Sequence, residues 1–324
     1  MLANLAAMAK GAAGSESDRP ASGPSRSVLP VEPPAIPRPA GSGARSPRGW
    51  AESTEALLVV GDAGGGLGDD SPPRTLGDAG NWLFMGAVGF VGGQILSAVI
   101  LFFVAALNGH LSQLSKLAAL TVPPAWIVIG GLVGLWIGFL GAVLLASRLR
   151  GTGSIVRDMG LRIMRWDPLI GIGAGLVGQF ILVNLLYLPF EHFNPKLSQE
   201  LQQPAKHLTG GFPGVDLAVI AALTVLVVPV VEELFFRGLV LRGFLRLFRG
   251  AGRILGPALA VITTGVVFGL AHVELLELLG LASFGIVLSV MAYKFKRLGP
   301  SIFAHATFNL IAILSIAFQS GTIH

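Results

Sequence analysis

Pro-Val-Val-Glu-Glu-Leu-Phe-Phe-Arg, residues 229–237, closes a long apolar run that begins near Leu217. If this run spans a membrane, each charge in it costs about 2.5 to 3.5 kcal/mol on insertion scales, which indicates a functional role. In a helix, Glu233 and Arg237 share a face at i and i+4, whereas Glu232 projects about 100° away. The spacing therefore predicts that Arg237 holds Glu233 and leaves Glu232 free for chemistry. The alternative is a helix-end charge cluster with no chemical role.

The composition indicates a membrane protein. The 324 residues are 52% hydrophobic and only 13% charged, and the mean hydropathy is +0.71. These values are typical of a chain that crosses the bilayer several times. The absence of cysteine excludes disulfides, thiolate zinc sites and a cysteine nucleophile. We predict an all-α fold, namely a polytopic transmembrane helical bundle in the lipid bilayer, with no nucleic-acid partner.

Residues 1–80 form a region of different composition, rich in Pro, Gly and Ser, with five prolines between Pro30 and Pro39. Such a segment cannot bury enough apolar surface to offset the entropy lost on ordering, so we predict a disordered N-terminal tail. The remaining residues, 81–324, are predicted to form one membrane-embedded domain.

Apolar runs of bilayer length recur after the tail. The sequence predicts about seven spans, at residues 82–107, 125–146, 169–190, 215–234, 256–272, 275–293 and 301–318. Glycines recur four residues apart in the first and third spans, as Gly89 with Gly93 and Gly171 with Gly175. This spacing favours close contacts between helices in lipid.

Basic residues alternate between the predicted connections and so indicate orientation. The connections after the second, fourth and sixth spans hold 13 of them: Arg148, Arg150, Arg157, Arg162, Arg165, Arg237, Arg242, Arg246, Arg249, Arg253, Lys294, Lys296 and Arg297. The alternate connections hold three: Lys116, Lys196 and Lys206. By the positive-inside rule, we predict a multi-pass protein of the cell membrane with a cytoplasmic N-terminus and an external C-terminus.

Two histidines lie in apolar context, each one helical turn from another unusual residue. His272 follows Phe268 by four positions and His305 precedes Asn309 by four, so the members of each pair share a helix face. Lipid would leave His305 and Asn309 without hydrogen-bond partners, and we expect them to face the bundle interior. One such histidine is more often a packing residue, but two indicate a site.

Taken in order, these motifs resemble the signature of the CPBP (ABI) intramembrane protease family, which includes the type II CAAX prenyl endopeptidases. The signature is Glu-Glu-x-x-x-Arg, then Phe-x-x-x-His, then His-x-x-x-Asn, on separate membrane helices. The chain carries it as Glu232, Glu233 and Arg237, then Phe268 and His272, then His305 and Asn309. The resemblance covers a core of about residues 215–320, and residues 158–162 also resemble the region before that core.

The resemblance implies an intramembrane endopeptidase whose substrate is a peptide or membrane protein, with CAAX-type processing of lipidated peptides as one form. Peptide hydrolysis needs a base, donors to the oxyanion and a proton donor to the leaving amine. We predict that Glu232 with His272 activates the water, and that His305 with Asn309 stabilises the oxyanion. Structural support would come from Glu233, Arg237 and Phe268.

Metal dependence stays open at this point. Two histidines and a glutamate could form a three-ligand zinc site with an open position. However, no His-Glu-x-x-His helix is present, and ligation by Glu232 would remove the obvious base. The family is often labelled a metalloprotease, while a metal-free glutamate mechanism is also argued for relatives. We slightly favour a site without a tightly bound metal.

Two functions of another class are also considered. A polar bundle interior would suit a non-proteolytic binder or scaffold, such as the family members that protect cells against their own peptide toxins. Intramembrane charges also line transport paths. No inverted repeat is apparent across the predicted spans, which counts against a transporter.

The depth of the site poses a further constraint. Glu232 and His305 are predicted near the cytoplasmic half of the bilayer, and His272 ends a span that runs outward. Pro229 should kink the fourth helix three residues before Glu232 and turn the carboxylates inward. We therefore predict a polar, water-filled cavity that opens to the cytoplasm and brings Glu232, His272, His305 and Asn309 together.

Overall fold

The computed structural model describes residues 76–118, 120, 123–194, 196–201 and 214–319. Within these ranges the chain is helical and contains no strand. Most of the predicted tail, residues 1–75, lies outside the described residues. Its last five positions, 76–80, form the start of the first helix instead.

Seven long helices carry the apolar runs among the described residues. They are α1 (Leu76–Leu107), α2 (Ala125–Arg150), α3 (Asp167–Glu191), α4 (Gly214–Leu247), α5 (Leu255–Ala271), α6 (Leu278–Phe295) and α7 (Gly299–Gln319). Short helical turns occupy Leu111–Gln113, Leu114–Ala118, Ile155–Met159, Leu197–Glu200 and Arg249–Ala251. Helices α1 to α4 and α6 are long and apolar enough to cross a membrane, while α5 and α7 contain shorter apolar stretches. The predicted all-α membrane fold is confirmed for this part of the chain.

Helices α1 and α2 approach each other through small residues. Ser97 Oγ on α1 donates to Gly131 O on α2 over 2.7 Å. A Cβ atom on Gly138 of α2 would overlap the backbone of Gly89 and Gly93 on α1. The glycine pair singled out in the first span therefore lies at a helix–helix contact, where close approach replaces the hydrophobic driving force that lipid does not supply.

Helix α3 contacts α7 in the same way. A Cβ atom on Gly171 or Gly175 would overlap α7 at Ala304. At the start of α3, Asp167 pairs with Arg297, which precedes α7, at 2.7 Å. Close packing and one ion pair therefore fix the position of the helix that carries His305.

Two connections on one side of the bundle are joined by backbone hydrogen bonds. Leu298 N donates to Gly160 O over 2.9 Å, and Gly299 N donates to Arg162 O over 3.1 Å. Gly160 has a φ of +71°, a left-handed conformation that favours glycine. The connection between α2 and α3 thereby braces the start of α7.

The same connection is held to α2 by a carboxylate. Asp158 accepts hydrogen bonds from Ser147 Oγ at 2.5 Å and from Thr152 N and Oγ1 at 2.9 and 2.8 Å. Burial alone would raise the pKa of Asp158, but these hydrogen bonds outweigh burial and lower it below its ordinary value. Asp158 begins the run, residues 158–162, that resembles the region before the family core.

Helix α4 is longer than predicted. It continues past the expected end at Leu234 to Leu247, because apolar residues continue beyond the glutamates. Arg237 and Arg242 consequently lie within the helix and are buried, at 0% and 5% exposure, rather than in a connection. Arg246, also within the helix, stacks over the ring of Trp82 on α1 at 4.1 Å.

Helix α4 also contains two wide π turns, Leu223–Val227 and Leu234–Val240, on either side of the α-helical turn that carries the glutamates. Pro229 directly follows the first π turn. A proline has no N–H, and its ring clashes with the carbonyl four residues earlier in an α-helix. A π turn ahead of Pro229 therefore accommodates the proline inside the helix.

Aromatic rings connect the core to the site. Phe139 of α2 stacks on Phe235 of α4 at 3.9 Å, and Phe236 meets Phe235 edge-on at 5.0 Å. Phe236 in turn meets Phe268 of α5 at 5.1 Å. These rings pack α2, α4 and α5 together, and Phe268 lies at the edge of the polar cluster described next.

Candidate active site

Glu233 and Arg237 form a buried ion pair on α4. Arg237 Nη1 donates to Glu233 Oε1 over 2.7 Å, and both side chains are 0% exposed. Arg237 Nη2 also donates to Gly285 O on α6 over 3.1 Å, and its guanidinium lies 4.4 Å from the centre of the Phe268 ring. The pair expected from the i, i+4 spacing is present and is further held by α5 and α6.

His305 on α7 lies between the two neighbouring carboxylates. Its Nδ1 is 3.2 Å from Glu233 Oε1, and its Nε2 is 3.8 Å from Glu232 Oε2. A carboxylate paired with arginine only accepts hydrogen bonds, so Nδ1–H donates to Glu233. The Nε2 atom is thereby directed towards Glu232, at a separation longer than a direct hydrogen bond.

The two glutamates differ in access. The Glu233 side chain is fully enclosed, whereas that of Glu232 is 13% exposed. Glu232 Oε2 is itself buried and accepts no hydrogen bond from any described residue. The carboxylate that is partly exposed and not paired with Arg237 is the one for which the sequence predicted chemistry.

His272 lies at the C-terminal end of α5 and is linked to this cluster by a ring. The centre of its imidazole lies 4.8 Å from the centre of the Phe268 ring, and the Phe268 centre lies 5.6 Å from the centre of the His305 ring. His272 Nδ1–H donates to Phe268 O over 2.8 Å, because a carbonyl can only accept. The proton on Nδ1 leaves Nε2 of the neutral ring as an acceptor.

Asn309 lies one turn beyond His305 on α7. Its Nδ2 donates to Thr224 O, in the first π turn of α4, over 2.9 Å. The amide therefore contacts the backbone of the helix that bears Glu232, eight residues ahead of that carboxylate. An amide nitrogen carries two hydrogens, so a second N–H is left for another acceptor.

The arrangement does not match a metal centre. Across the described residues, no group of three or more His, Asp and Glu side chains is placed to hold a metal ion. Glu232 and His305 approach each other, with Nε2 of His305 3.8 Å from Glu232 Oε2, but the described side chains are not grouped to complete a ligand set around them. The donor atoms present do not form the three-ligand set considered from the sequence, so no reaction step is assigned to a metal.

Some groups at or near the site could not be identified from motifs in the sequence. The carbonyl of Thr224 and that of Gly285 are backbone groups, and side-chain patterns do not reveal their partners. Ser301 is fully buried one turn before His305, and this i, i+4 spacing is the one signal that could have drawn attention to it.

Fold and site together define a polytopic helical membrane protein with a buried cluster of carboxylates, guanidinium and imidazole shared by α4, α5 and α7. Residues 214–311 match the family model described as Type II CAAX prenyl endopeptidase Rce1-like. This match confirms the resemblance drawn from the three motifs, and its range contains all the candidate residues. Comparison with curated proteins and with solved structures gave no match. At the level of the family, the match indicates CAAX-type intramembrane protease activity.

Proposed function

We propose that this chain is an intramembrane endopeptidase in which Glu232 activates a water molecule for attack on a peptide bond. The observation that carries the proposal is the difference between the two glutamates. Glu233 is enclosed and engaged by Arg237 and His305, while the Glu232 side chain is 13% exposed and makes no ion pair with Arg237. A general base needs access to the water and a carboxylate that is not held by a cation.

Charge balance supports a donor role for His305. Glu232 and Glu233 contribute two negative charges and Arg237 one positive charge. A cationic donor beside these carboxylates would balance the charge of the cluster. His305 is placed for that role, because Nδ1–H donates to Glu233 and Nε2 lies on the side of Glu232, where an oxyanion would form and accept an Nε2–H.

The proposed sequence of steps uses side chains alone. Glu232 takes a proton from the water, with Nε2 of His272 as a second acceptor, and the water oxygen bonds to the scissile carbonyl carbon. The oxyanion accepts hydrogen bonds from His305 Nε2–H and from the second N–H of Asn309. Glu232 then passes its proton to the leaving amine as the C–N bond breaks, which restores the free carboxylate.

The orientation and substrate also belong to this proposal. The connections α2–α3 and α6–α7 are joined by hydrogen bonds, and Tyr187 near the end of α3 donates to Leu276 O over 2.6 Å in the α5–α6 connection. The α2–α3 and α6–α7 connections, predicted on one side, are therefore in contact, and the end of α3 meets the α5–α6 connection, both of which are predicted on the other side. The basic residues are concentrated in the α2–α3 and α6–α7 connections. We therefore assign that side of the bundle and the N-terminus to the cytoplasm, and the C-terminus to the outside. A peptide held at the membrane, including a lipidated one, would reach Glu232 from the cytoplasm.

The test compares Glu232→Gln with Glu233→Gln in reconstituted protein, using a library of plain and lipidated peptides and mass-spectrometric detection of cleavage. We expect Glu232→Gln to lower turnover by about 10² or more, because the base is lost, and to leave thermal stability nearly unchanged. Glu233→Gln should cost about 3–5 kcal/mol of stability, because Arg237 is left unpaired in the interior. Glu191→Gln, at the exposed end of α3, is the control for loss of a carboxylate.

Full cleavage by Glu232→Gln would overturn the assignment of the base. An unstable Glu232→Gln together with a stable, inactive Glu233→Gln would reverse the two roles. Binding of peptides without cleavage by the unsubstituted protein would favour the non-proteolytic binder instead.

A further inference from the structure

The hydrogen bond between Asn309 and Thr224 lies where the backbone of α4 lacks a donor. In the first π turn, the N–H of Val228 donates to Leu223 O, five residues earlier. The next N–H in the same pattern would come from residue 229 and would donate to Thr224 O. Residue 229 is proline and has no N–H, so this carbonyl has no backbone donor in the π pattern.

An α-helical pattern would not supply the donor either. There, Thr224 O would accept from Val228 N–H, which is already engaged by Leu223 O. A carbonyl inside a membrane bundle without a donor is destabilising, because lipid offers it no hydrogen bond. Asn309 Nδ2 occupies this position at 2.9 Å.

We propose that Asn309 is a positioning residue: its amide replaces at Thr224 O the backbone donor that Pro229 removes, and thereby holds the π turn that aims Glu232. A π turn contains one residue more than an α turn, which rotates the side chains that follow by about 100°. Glu232 follows the turn by five residues, so the direction of its carboxylate depends on that extra residue. The hydrogen bond also joins α4 to α7, the two helices that bring Glu232 and His305 together.

This role is separate from the oxyanion contact given to Asn309 above. The two hydrogens of the amide serve different acceptors, one on Thr224 and one on the reacting oxygen. The positioning role concerns the backbone of α4 and can be measured without a substrate. Only its effect on turnover rests on the proposed protease function.

The test is a double-mutant cycle of Asn309→Leu and Pro229→Ala. Leucine has the same number and branching of side-chain heavy atoms as asparagine, and it removes the donor without opening a cavity. We expect Asn309→Leu to lower the Tm by about 2 to 6 °C in the unsubstituted protein, the equivalent of one lost hydrogen bond. In the Pro229→Ala background the loss should be less than half as large, because the N–H of Ala at position 229 can donate to Thr224 O.

Turnover supplies a readout that a purely structural bond would not move. Asn309→Leu should lower kcat by about tenfold or more with KM little changed, since Glu232 is no longer aimed. The Pro229→Ala background should recover part of that loss, because the π turn regains a donor. If no cleavage is found for any variant, the proposed function fails, while the Tm cycle still tests the hydrogen bond.

The control variant is Asn184→Leu. Asn184 Nδ2 likewise donates to a backbone carbonyl, that of Phe180, over 2.8 Å, but on α3 and at an exposed position. Its effect on the Tm should be the same with Pro229 and with Ala at position 229.

Equal Tm losses for Asn309→Leu in both backgrounds overturn the proposal, as does a kcat loss that is identical in both and comes with no change of Tm. That second outcome would leave Asn309 as an oxyanion donor alone. If Asn309→Leu does not fold in the unsubstituted protein, folding of the double variant supports the proposal, and failure of both to fold contradicts it.

Discussion

The pKa of the Glu277 carboxyl group is raised by its surroundings in the folded protein. It lies in the connection just before α6, where burial and, to a smaller extent, the negative charge of Glu274 raise its pKa from 4.5 to about 7. The folded protein therefore binds this proton more tightly than the unfolded chain does. Glu277 lowers the free energy of unfolding progressively as the pH rises from 4.5 to 7, and the full cost is present above pH 7.

We therefore expect Glu277→Gln to stabilise the protein at pH 8 more than at pH 5. A full shift would correspond to about 3 kcal/mol at 1.36 kcal/mol per pH unit, and solvent screening at this half-buried position reduces the gain to about 1–2 kcal/mol. Thermal unfolding at the two pH values measures it. An equal gain at both pH values for Glu277→Gln would contradict this explanation.

The separate surroundings of Glu232 and Glu233 were predictable from helical geometry, because a spacing of four residues pairs Glu233 with Arg237 in any regular helix. The position of His305 between both carboxylates was not, since it depends on how α7 lies against α4. The bond from Asn309 to Thr224 was also beyond sequence reasoning, because its acceptor is a main-chain carbonyl. Patterns of side chains predicted which residues would take part, but not which atoms meet.

At the scale of helices, the contact between α1 and α2 depends on glycine at one point of closest approach. A Cβ atom on Gly138 would overlap the α1 backbone at Gly89 and Gly93, whereas one on Gly141, nearly one turn further along α2, would meet nothing. Both glycines lie in the same apolar helix. They therefore form a matched pair for testing the contact.

We expect Gly138→Leu to force α1 and α2 apart and to cost about 1–3 kcal/mol or more, as overpacking does. Gly141→Leu should be close to neutral. Thermal unfolding in detergent measures both variants. Similar losses at the two positions would show that helix propensity or insertion, and not the contact with α1, determines the result.

The helix ends show the same division between predictable and unpredictable features. Hydropathy located all seven helices, most within a few residues of their ends, because bilayer thickness sets their length. It failed for the end of α4, where Arg237 and Arg242 lie inside the helix. The buried ion pair with Glu233 allows the Arg237 charge to remain in the interior. Hydropathy values are assigned residue by residue and do not include such pairing. The π turns likewise depend on Pro229 and on neighbouring helices, so local propensity did not reveal them.

At the scale of the whole molecule, the alternation of basic residues predicts which connections lie on each side of the membrane. Because the native sequence has no cysteine, single introduced cysteines can test this prediction without background labelling. A single cysteine at Arg150, exposed at the end of α2, should be protected from a membrane-impermeant reagent added to intact cells. One at Lys196, exposed in the α3–α4 connection, should be labelled. The same topology predicts that residues 202–208 are also accessible from outside, but they lie outside the described residues, so Lys196 is used instead.

Permeabilised cells provide the control, in which both positions should react. External labelling at Arg150 with protection at Lys196 would invert the orientation. Labelling of both from outside would overturn the number of spans.

The hydrogen bonds from Leu298 and Gly299 to Gly160 and Arg162 join parts of the chain that leave the ribosome at very different times. The N-terminal part of a chain is made first, so this junction cannot close until α6 has been synthesised. His305 follows it in α7. A nascent chain therefore holds Glu233 with Arg237 but without the imidazole, and the site remains incomplete until α7 is inserted. The order of synthesis therefore makes α7 the element that completes the cluster.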